Sequence, residues 1–206
     1  MSNKEIRAFD FEVRAEQNEE HGSYITGQPI VYNEPTDMGW YREYVDDGAL
    51  DNTDLRDVRF LVNHNTDMIP LARSRNNNTN STMQMEVIPN VGMSIRVDLD
   101  TENNSEAKSL YSAVKRGDIS GMSFMFTVEE DRWEDLDTDY PTRHIISFAK
   151  VFEVSAVTFP AYEQTSIQAR GLSDALDSAR TSLDSAKAEA KKVDDQKKKI
   201  KLLCEI

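Results

Sequence analysis

Apolar and polar residues alternate through much of the chain before residue 165, and such alternation predicts β-strands with one buried face. In the first half of that region it predicts two long strands, two short strands and one short helix. The long strands are expected at 4–14 and 24–33, the short strands at 58–62 and 71–74, and the helix near 47–56. This stretch therefore favours a mostly β fold.

A hairpin, a helix and a last group of strands are predicted in the second half of the same region. Segments 83–89 and 92–100 both alternate and are joined by Pro89-Asn90-Val91-Gly92, so we expect an antiparallel hairpin. Apolar residues three or four positions apart predict a helix over 102–118 that ends at Gly117. A strand is expected at 119–131, an acidic loop at 132–142, and two short strands within 143–161.

The pattern changes after Gly171. Residues 172–206 contain no glycine, proline or aromatic residue, and their apolar positions alternate spacings of four and three. These positions are Leu172, Leu176, Ala179, Leu183, Ala186, Ala190 and Val193, with Ile200 after a break at Lys197. The heptad pattern predicts a long amphipathic helix, either in a coiled coil or as a partly disordered helical tail. The sequence thus predicts two parts, a β-rich domain over 1–170 and a helical tail over 171–206.

The charge balance restricts the partners that the chain is expected to bind. It has 24 Lys and Arg against 37 Asp and Glu, and this formal net charge of −13 argues against a general nucleic-acid-binding surface. No apolar run reaches the roughly 20 residues of a membrane-spanning helix, and the N-terminus lacks the apolar stretch of a secretory signal. The single cysteine, Cys204, excludes an internal disulfide and a zinc site built on several thiolates.

Histidine chemistry depends on three residues, His21, His64 and His144. His21 lies in a charged segment and is expected to be solvated. His64 follows the apolar strand 58–62 and is flanked by Asn63 and Asn65. An imidazole that is fixed by a strand but open to a cleft suits a general base. The alternative is a surface histidine that merely caps a turn.

A second candidate segment, residues 115–128, places glycines and small polar residues before an aromatic-rich strand. Ser123 is expected to point away from the apolar face of that strand. A serine held on a rigid strand, with Gly121 leaving room for a substrate backbone, is a candidate nucleophile. The alternative is an ordinary serine on the outer face of a strand. Ser120 is less favoured, because its parity would direct it to the core if the strand began that early.

The third candidate is Glu153, which interrupts an apolar run between Phe152 and Val154. A buried carboxylate needs a partner, because burying an unpaired charge is unfavourable, and an imidazolium is one suitable partner. Simple alternation along a strand would instead place Glu153 on the solvent face. The residues alone leave both interpretations open.

Taken together, these segments resemble the prohead (procapsid maturation) proteases of tailed bacteriophages. In that family a strand ending in Asn-His precedes a Gly-hydrophobic-Ser-Phe strand, and a Glu-Val-Ser-x-Val-x-x-Pro-Ala segment follows. The corresponding residues are Asn63-His64, Gly121-Met122-Ser123-Phe124, and Glu153-Val154-Ser155-Ala156-Val157-Thr158-Phe159-Pro160-Ala161. GQPIVYNEPTD and YREYVDDGAL are also similar to the opening of the family, and the resemblance covers about residues 5–165.

The resemblance implies an α+β fold similar to that of herpesvirus assemblin. This is a mainly antiparallel β-barrel with flanking helices, followed here by the helical tail. The resemblance also implies that His64 takes the proton from Ser123 and that Ser123 attacks the scissile carbonyl. Glu153 is expected to be the third catalytic residue, with His144 as the alternative.

The implied function is a serine endopeptidase of prohead maturation, which needs no metal ion or organic cofactor. It would act in the host cytoplasm, inside the assembling prohead, on the scaffold segment or the major capsid protein. It would then cut itself and be absent from the mature virion. The tail would bind the scaffold segment, and the comparison with assemblin implies a homodimer. Arg143 and Arg132 are candidates to assist the oxyanion hole.

Two other classes of function are weighed against the protease. A non-catalytic capsid assembly or scaffold protein would keep the same fold and tail without the chemistry. A metal-dependent hydrolase is disfavoured, because the three histidines are scattered and no HExxH motif is present.

Overall fold

The computed structural model describes residues 4–9, 13–19, 22–158 and 169–204. The strands are β1 (Glu5–Phe9), β2 (Arg14–Asn18), β3 (Gly22–Val31), β4 (Thr36–Asp37), β5 (Arg42–Val45), β6 (Asp57–Val62), β7 (Ala72–Arg75), β8 (Met83–Ile88), β9 (Gly92–Leu99), β10 (Gly121–Glu134) and β11 (Thr142–Val157). The helices are α1 (Ser105–Arg116) and α2 (Ala169–Cys204). The predicted α+β class is confirmed.

The strands form two sheets. In the first sheet the order is β1-β10-β11-β5-β4, and β6 pairs with both β11 and β7. In the second sheet the order is β2-β3-β9-β8. β11 runs parallel to β5 and β6, whereas the other described pairs are antiparallel. The predicted closed barrel is not confirmed, because no described strand pairing joins the edges of the sheets.

The β10–β11 hairpin forms the centre of the first sheet. The acidic loop predicted at 132–142 is confirmed with shorter bounds, because β10 continues to Glu134 and β11 begins at Thr142. The prediction of two short strands within 143–161 was wrong, since one long strand, β11, runs through to Val157. Trp133 is only 7% exposed, while Arg132 and Glu134 beside it are exposed. The alternation of a half-buried strand therefore continues through this charged segment, although the acidic residues obscure it in the sequence.

The main hydrophobic core combines residues of both sheets and of α1. The rings of Phe124 and Phe126 stack with centroids 4.8 Å apart, and Phe148 meets both rings edge-on. Neighbouring side chains of a strand point to opposite faces. Because Phe124 lies in this core, Ser123 lies on the other face of β10.

The predicted helix over 102–118 is confirmed with shorter bounds, as α1. Asn104 caps its N-terminus, since the Asn104 Oδ1 atom accepts the N–H groups of Glu106 and Ala107 at 2.9 and 3.2 Å. Gly117 ends the helix with φ of 78°, the left-handed conformation that glycine adopts without strain.

The strands predicted in the first half are confirmed with shifted bounds, except for the first one. The strand predicted at 4–14 is divided between β1 and β2. The helix predicted near 47–56 was wrong, because residues 47–52 form a series of turns. Gly48 has φ of 83° there, and a left-handed residue interrupts an α-helix.

The C-terminal helix predicted from the heptad pattern is confirmed as α2, which is 36 residues long. Ala179 and Leu183 are buried against Tyr41 and Trp133, so this part of α2 packs on the first sheet. Farther along, the apolar positions are exposed, with Ile200 at 61%. The coiled coil, which requires a second helix, stays a prediction. No helix in the described part of the chain is long and apolar enough to cross a bilayer.

Candidate active site

His64 lies in a tight turn at the end of β6. The turn is closed by a hydrogen bond from the Asn65 N–H to the Val62 carbonyl at 3.1 Å. Its central residues, Asn63 and His64, have φ of 50° and 56°, which is the left-handed region. Asparagine and histidine are among the non-glycine residues that adopt this region most readily, although it remains strained relative to ordinary backbone. The Asn-His pair is therefore suited to this turn by its backbone as well as by its side chains.

The Asn63 side chain fastens this turn to the end of β11. Its Nδ2 donates to Thr158 Oγ1 at 3.1 Å, and its Oδ1 accepts the Thr158 N–H at 2.9 Å. The Asn63 N–H also donates to the Ala156 carbonyl at 3.0 Å. The turn that carries His64 is thus fixed to the strand that carries Glu153. Phe159, Pro160 and Ala161, the end of the third motif, lie outside the described residues.

Glu153 meets His64 and Ser155 in a small buried network. His64 Nδ1 and Glu153 Oε1 are 2.5 Å apart, and Ser155 Oγ donates to Glu153 Oε2 at 2.6 Å. Ser155 Oγ in turn accepts the backbone N–H of His64 at 3.1 Å. Glu153 is 3% exposed, so the interpretation of a solvent-facing carboxylate was wrong and the partnered one is confirmed.

This network determines which ring nitrogen of a neutral His64 holds the proton. A carboxylate only accepts hydrogen bonds, so the Nδ1 atom beside Glu153 carries the hydrogen and Nε2 keeps its lone pair. Nε2 makes no hydrogen bond to any residue that the structure describes. The ring is 14% exposed. The imidazole is therefore oriented at one nitrogen and available as a base at the other.

Ser123 lies next to this network, one strand away. It is the cross-strand partner of Ser155 in the β10–β11 pair, and directly paired residues place their side chains on the same face. Their Cα atoms are therefore separated by about 4.5–5.5 Å. The sheet brings Ser123 to the face where Glu153 and His64 meet, although the three motifs are far apart in sequence.

The Ser123 hydroxyl, however, is engaged elsewhere. Its Oγ donates to the backbone carbonyl of Arg7 on the neighbouring strand β1 at 2.7 Å, and Ser123 is 0% exposed. Among the described residues there is no hydrogen bond between Ser123 and His64. The direct contact at ~3 Å that proton transfer from Ser123 to His64 requires is thus not formed in this conformation. The reason is that β1 pairs along β10 and brings a carbonyl oxygen to Ser123.

The alternative candidates lie elsewhere. His144 Nδ1 is 2.7 Å from Asp46 Oδ1, and its ring stacks on Tyr44 near the start of β11, whereas Glu153 is nine positions farther along that strand. Ser120 is exposed and precedes β10, so the early strand start that would have placed it in the core does not occur. His21 lies outside the described residues.

Arg143 and Arg132 are not at this site, which corrects their candidacy for an oxyanion hole. Arg143 is paired with Trp133, ten positions beyond Ser123 on β10, and is 1% exposed. Its guanidinium is occupied by buried carboxylates, with Glu5 Oε2 at 2.8 Å. Arg132 is exposed and pairs with Glu134 at 3.1 Å.

Sequence reasoning missed Ser155 and the side chain of Asn63 as parts of the site. Ser155 follows Glu153 by two positions, and residues two apart on a strand share a face, which is a signal that would have found it. The contact between Asn63 and Thr158 carries no such signal, because it joins residues 95 positions apart.

A cavity of about 510 Å³ lies beside the His64 turn, between residues 62–68 and α1. Val62, Met68 and Leu110 give it an apolar lining, while Asn63 and Asn65 contribute polar groups. Because both asparagines are neighbours of His64, the cavity adjoins the candidate site.

The family model described as caudovirus prohead serine protease matches residues 9–178. The matched region includes His64, Ser123 and Glu153 as well as the first part of α2. No curated protein and no solved structure matches the chain significantly. The specific likeness to assemblin therefore stays a prediction.

Proposed function

Because the chain belongs to the caudovirus prohead serine protease family, we propose that it is an endopeptidase in which Ser123, His64 and Glu153 form the catalytic triad. Family membership itself indicates a serine peptidase with a role in phage maturation. The observation that carries the residue assignment is the buried contact between Glu153 and His64 Nδ1, at 2.5 Å, on the face that carries Ser123. It leaves His64 Nε2 as the one ring nitrogen able to receive a proton.

In the proposed reaction, His64 Nε2 takes the proton of the Ser123 hydroxyl as Oγ attacks the scissile carbonyl carbon. The carbonyl π bond opens and the oxygen becomes an oxyanion. Collapse of this intermediate expels the amine, which takes the proton from His64, and an ester remains on Ser123. Water then attacks the ester, again giving a proton to Nε2, and the acid product leaves as the proton returns to Oγ. The Glu153 carboxylate stabilises the imidazolium in both halves.

The reaction requires Ser123 to give up its hydrogen bond to the Arg7 carbonyl. Rotation about χ1 of Ser123 between its staggered rotamers would release the Arg7 carbonyl, and the proposal requires that another rotamer bring Oγ to His64 Nε2. The buried state of Ser123 also requires that a substrate gain access to it. The described conformation is accordingly a resting one in this proposal.

The substrates in this proposal are the scaffold segment, the major capsid protein and the enzyme itself. The enzyme would act within the assembling prohead in the host cytoplasm and be lost from the mature virion. The exposed distal part of α2, with Val193 and Ile200 on its surface, supports the proposal of a helical contact with scaffold or with a second copy. No nucleic acid or membrane is needed.

The test is co-expression of the full chain with its major capsid protein, with products mapped by mass spectrometry. Ser123→Ala is expected to abolish cleavage while the protein stays folded. Ser120→Ala is the matched control, because this serine is exposed and three positions away, and it is expected to cleave normally. Cleavage that survives Ser123→Ala but is lost in Ser120→Ala would overturn the assignment of the nucleophile.

A non-catalytic assembly protein is the second candidate, and the engagement of the Ser123 hydroxyl by Arg7 is the observation that favours it. The same experiment separates the two. Assembly that proceeds with wild type and Ser123→Ala alike, without new termini in any protein, would support the assembly role and contradict the peptidase.

A further inference from the structure

Ser155 is a completely buried serine whose hydroxyl is used twice. It is 0% exposed, it donates to Glu153 Oε2 at 2.6 Å, and it accepts the His64 N–H at 3.1 Å. We propose that Ser155 is a positioning residue of the site, which ties the Glu153 carboxylate to the His64 backbone and so fixes the imidazole. Its effect on catalysis rests on the proposed function, whereas its effect on the imidazole does not.

The Glu153 carboxylate needs two fixed contacts to hold a defined orientation. The terminal torsion of a glutamate side chain is broad, so a single hydrogen bond to His64 leaves the carboxylate free to rotate. Ser155 binds the second oxygen and removes that freedom. A ring nitrogen held by a fixed partner keeps one tautomer and one orientation, which is the property that a general base requires.

The same hydroxyl also acts on the backbone of the turn. The His64 N–H points at Ser155 Oγ, and His64 has φ of 56°, a conformation that the surroundings must hold in place. Ser155 therefore connects the main chain of His64 to the partner of its side chain. The two hydrogen bonds of Ser155 complete a closed ring of contacts. The ring runs from the His64 N–H through Ser155 Oγ and the Glu153 carboxylate back to His64 Nδ1.

The sheet itself does not need a hydroxyl at this position. Ser155 pairs with Ser123 on one side and with Leu61 on the other, and backbone groups make these ladders. An alanine would fill the strand position equally well. The hydroxyl is explained by Glu153 and His64 and by nothing else that contacts it among the described residues.

Ser74 provides a matched control for the loss of a buried hydroxyl. It is also 0% exposed, and it hydrogen bonds locally, with the Asn77 N–H at 3.3 Å and Asn77 Oδ1 at 3.4 Å. It lies on β7, in register with Val58 of β6 rather than with a residue of the site. Ser74→Ala thus measures what removing a buried hydroxyl does when only structure is affected.

The experiment compares wild type, Ser155→Ala, Ser155→Cys and Ser74→Ala by proton NMR and by cleavage of a peptide that spans a mapped site. In Ser155→Ala the low-field signal of the His64 Nδ1 proton is expected to shift or to be lost. Its kcat is expected to fall ~10–100-fold with KM changed little, as is typical when an orienting partner is removed. Cysteine is a weaker donor of similar size, so the kcat of Ser155→Cys should lie between those of wild type and Ser155→Ala. Ser74→Ala should keep both the Nδ1 proton signal and the kcat of wild type.

Unchanged imidazole signals in both Ser155→Ala and Ser155→Cys would overturn the positioning role, whatever their stability. A shifted signal in a chain whose wild type cleaves nothing would uphold the role of Ser155 and contradict the peptidase. If Ser155→Ala does not fold, Ser155→Cys decides through the same two measurements.

Discussion

The β10–β11 hairpin carries a buried polar network at each end, and the two networks are built differently. At the site end, the Glu153 carboxylate, the His64 imidazole and the Ser155 hydroxyl meet beside a strained turn. At the far end, Glu5, Glu43 and Asp131 surround Arg7 and Arg143 beneath α2. Both networks lie within one sheet, so the contrast reflects their side chains rather than the fold.

In the far network, here called the arginine cluster, each guanidinium is paired with more than one carboxylate. Arg143 contacts Glu5, Glu43 and Asp131 at 2.8, 3.1 and 2.6 Å, and Arg7 Nη2 contacts Glu5 and Glu43 at 2.7 Å each. Burial lowers the pKa of both guanidiniums, but the Glu43 charge and the other carboxylates outweigh it and keep both pKa values above the ordinary range. Both guanidiniums therefore stay charged near neutral pH, so the cluster is suited to holding strands together.

The site network differs, because one of its ring nitrogens is not hydrogen bonded to any described residue. His64 Nε2 makes no hydrogen bond to a described residue, and the Ser123 hydroxyl must change its acceptor in the proposed reaction. Under the proposed function, the difference teaches that burial and pairing alone do not identify the catalytic network. The distinguishing feature is an imidazole whose Nδ1 atom is oriented by Glu153 and whose Nε2 atom has no hydrogen-bond partner among the residues that the structure describes.

Arg7 connects the two networks. Its side chain belongs to the arginine cluster, while its carbonyl accepts the Ser123 hydroxyl. The cluster therefore holds in place β1, the strand whose Arg7 carbonyl accepts the Ser123 hydroxyl.

Glu153→Gln should reduce cleavage by ~10³–10⁴-fold while the protein stays folded, because an amide cannot stabilise the imidazolium or impose the same tautomer. Peptide cleavage kinetics and circular dichroism would measure this. Glu129→Gln is the control, since Glu129 is an exposed carboxyl on the same hairpin. Near-normal cleavage by Glu153→Gln would remove the distinction between the two networks.

Arg143→Met should instead lower the free energy of unfolding by about 3–5 kcal/mol, because it leaves buried carboxylates without their partner. Urea unfolding measures the loss, and Arg132→Met, on the exposed face of the same hairpin, should change it far less. A neutral result for Arg143→Met would mean that the cluster does not hold the fold.

Acid should act on the cluster through Glu5. Burial raises the pKa of Glu5, but the Arg7 charge and the hydrogen bond and charge of Arg143 outweigh it, so the pKa lies below its ordinary value of 4.5. The stabilisation is thus fully present above pH 4.5 and is lost as pH falls through the lowered pKa. Urea unfolding as a function of pH should show this loss in wild type and a shallower slope in Glu5→Gln. Equal slopes would contradict it.

Ser178→Ala should have the smallest effect, about 0.5–1.5 kcal/mol, because it removes one hydrogen bond between α2 and Glu5. Thermal unfolding of this variant is compared with Thr181→Ala, whose hydroxyl donates within α2, to the Asp177 carbonyl at 2.8 Å. A loss no greater than that of Thr181→Ala would mean that Ser178 does not help to dock the helix.

Local patterns in the sequence predicted the elements whose signals are local. The β8–β9 hairpin, the capped helix α1 and the heptad helix α2 all follow from periodicity and turn residues. The last three residues of β10, 132–134, were missed, because Arg132 and Glu134 are charged and exposed and the buried side chain of Trp133 is packed by a distant helix. The closed barrel was expected from resemblance, and the strand pairings do not form one.

The sequence by itself determined the candidate residues, because Asn63-His64, Ser123 and Glu153 stand in motifs that can be recognised without coordinates. Only the tertiary structure decided how they meet. Strand pairing between distant segments set Ser123 opposite Ser155, brought Glu153 to His64, and placed the Arg7 carbonyl on the Ser123 hydroxyl. Contacts of this kind depend on the pairing of segments that are up to 116 residues apart. A local pattern of hydrophobic and polar positions shows which face of a strand is buried, but not which distant strand it pairs with.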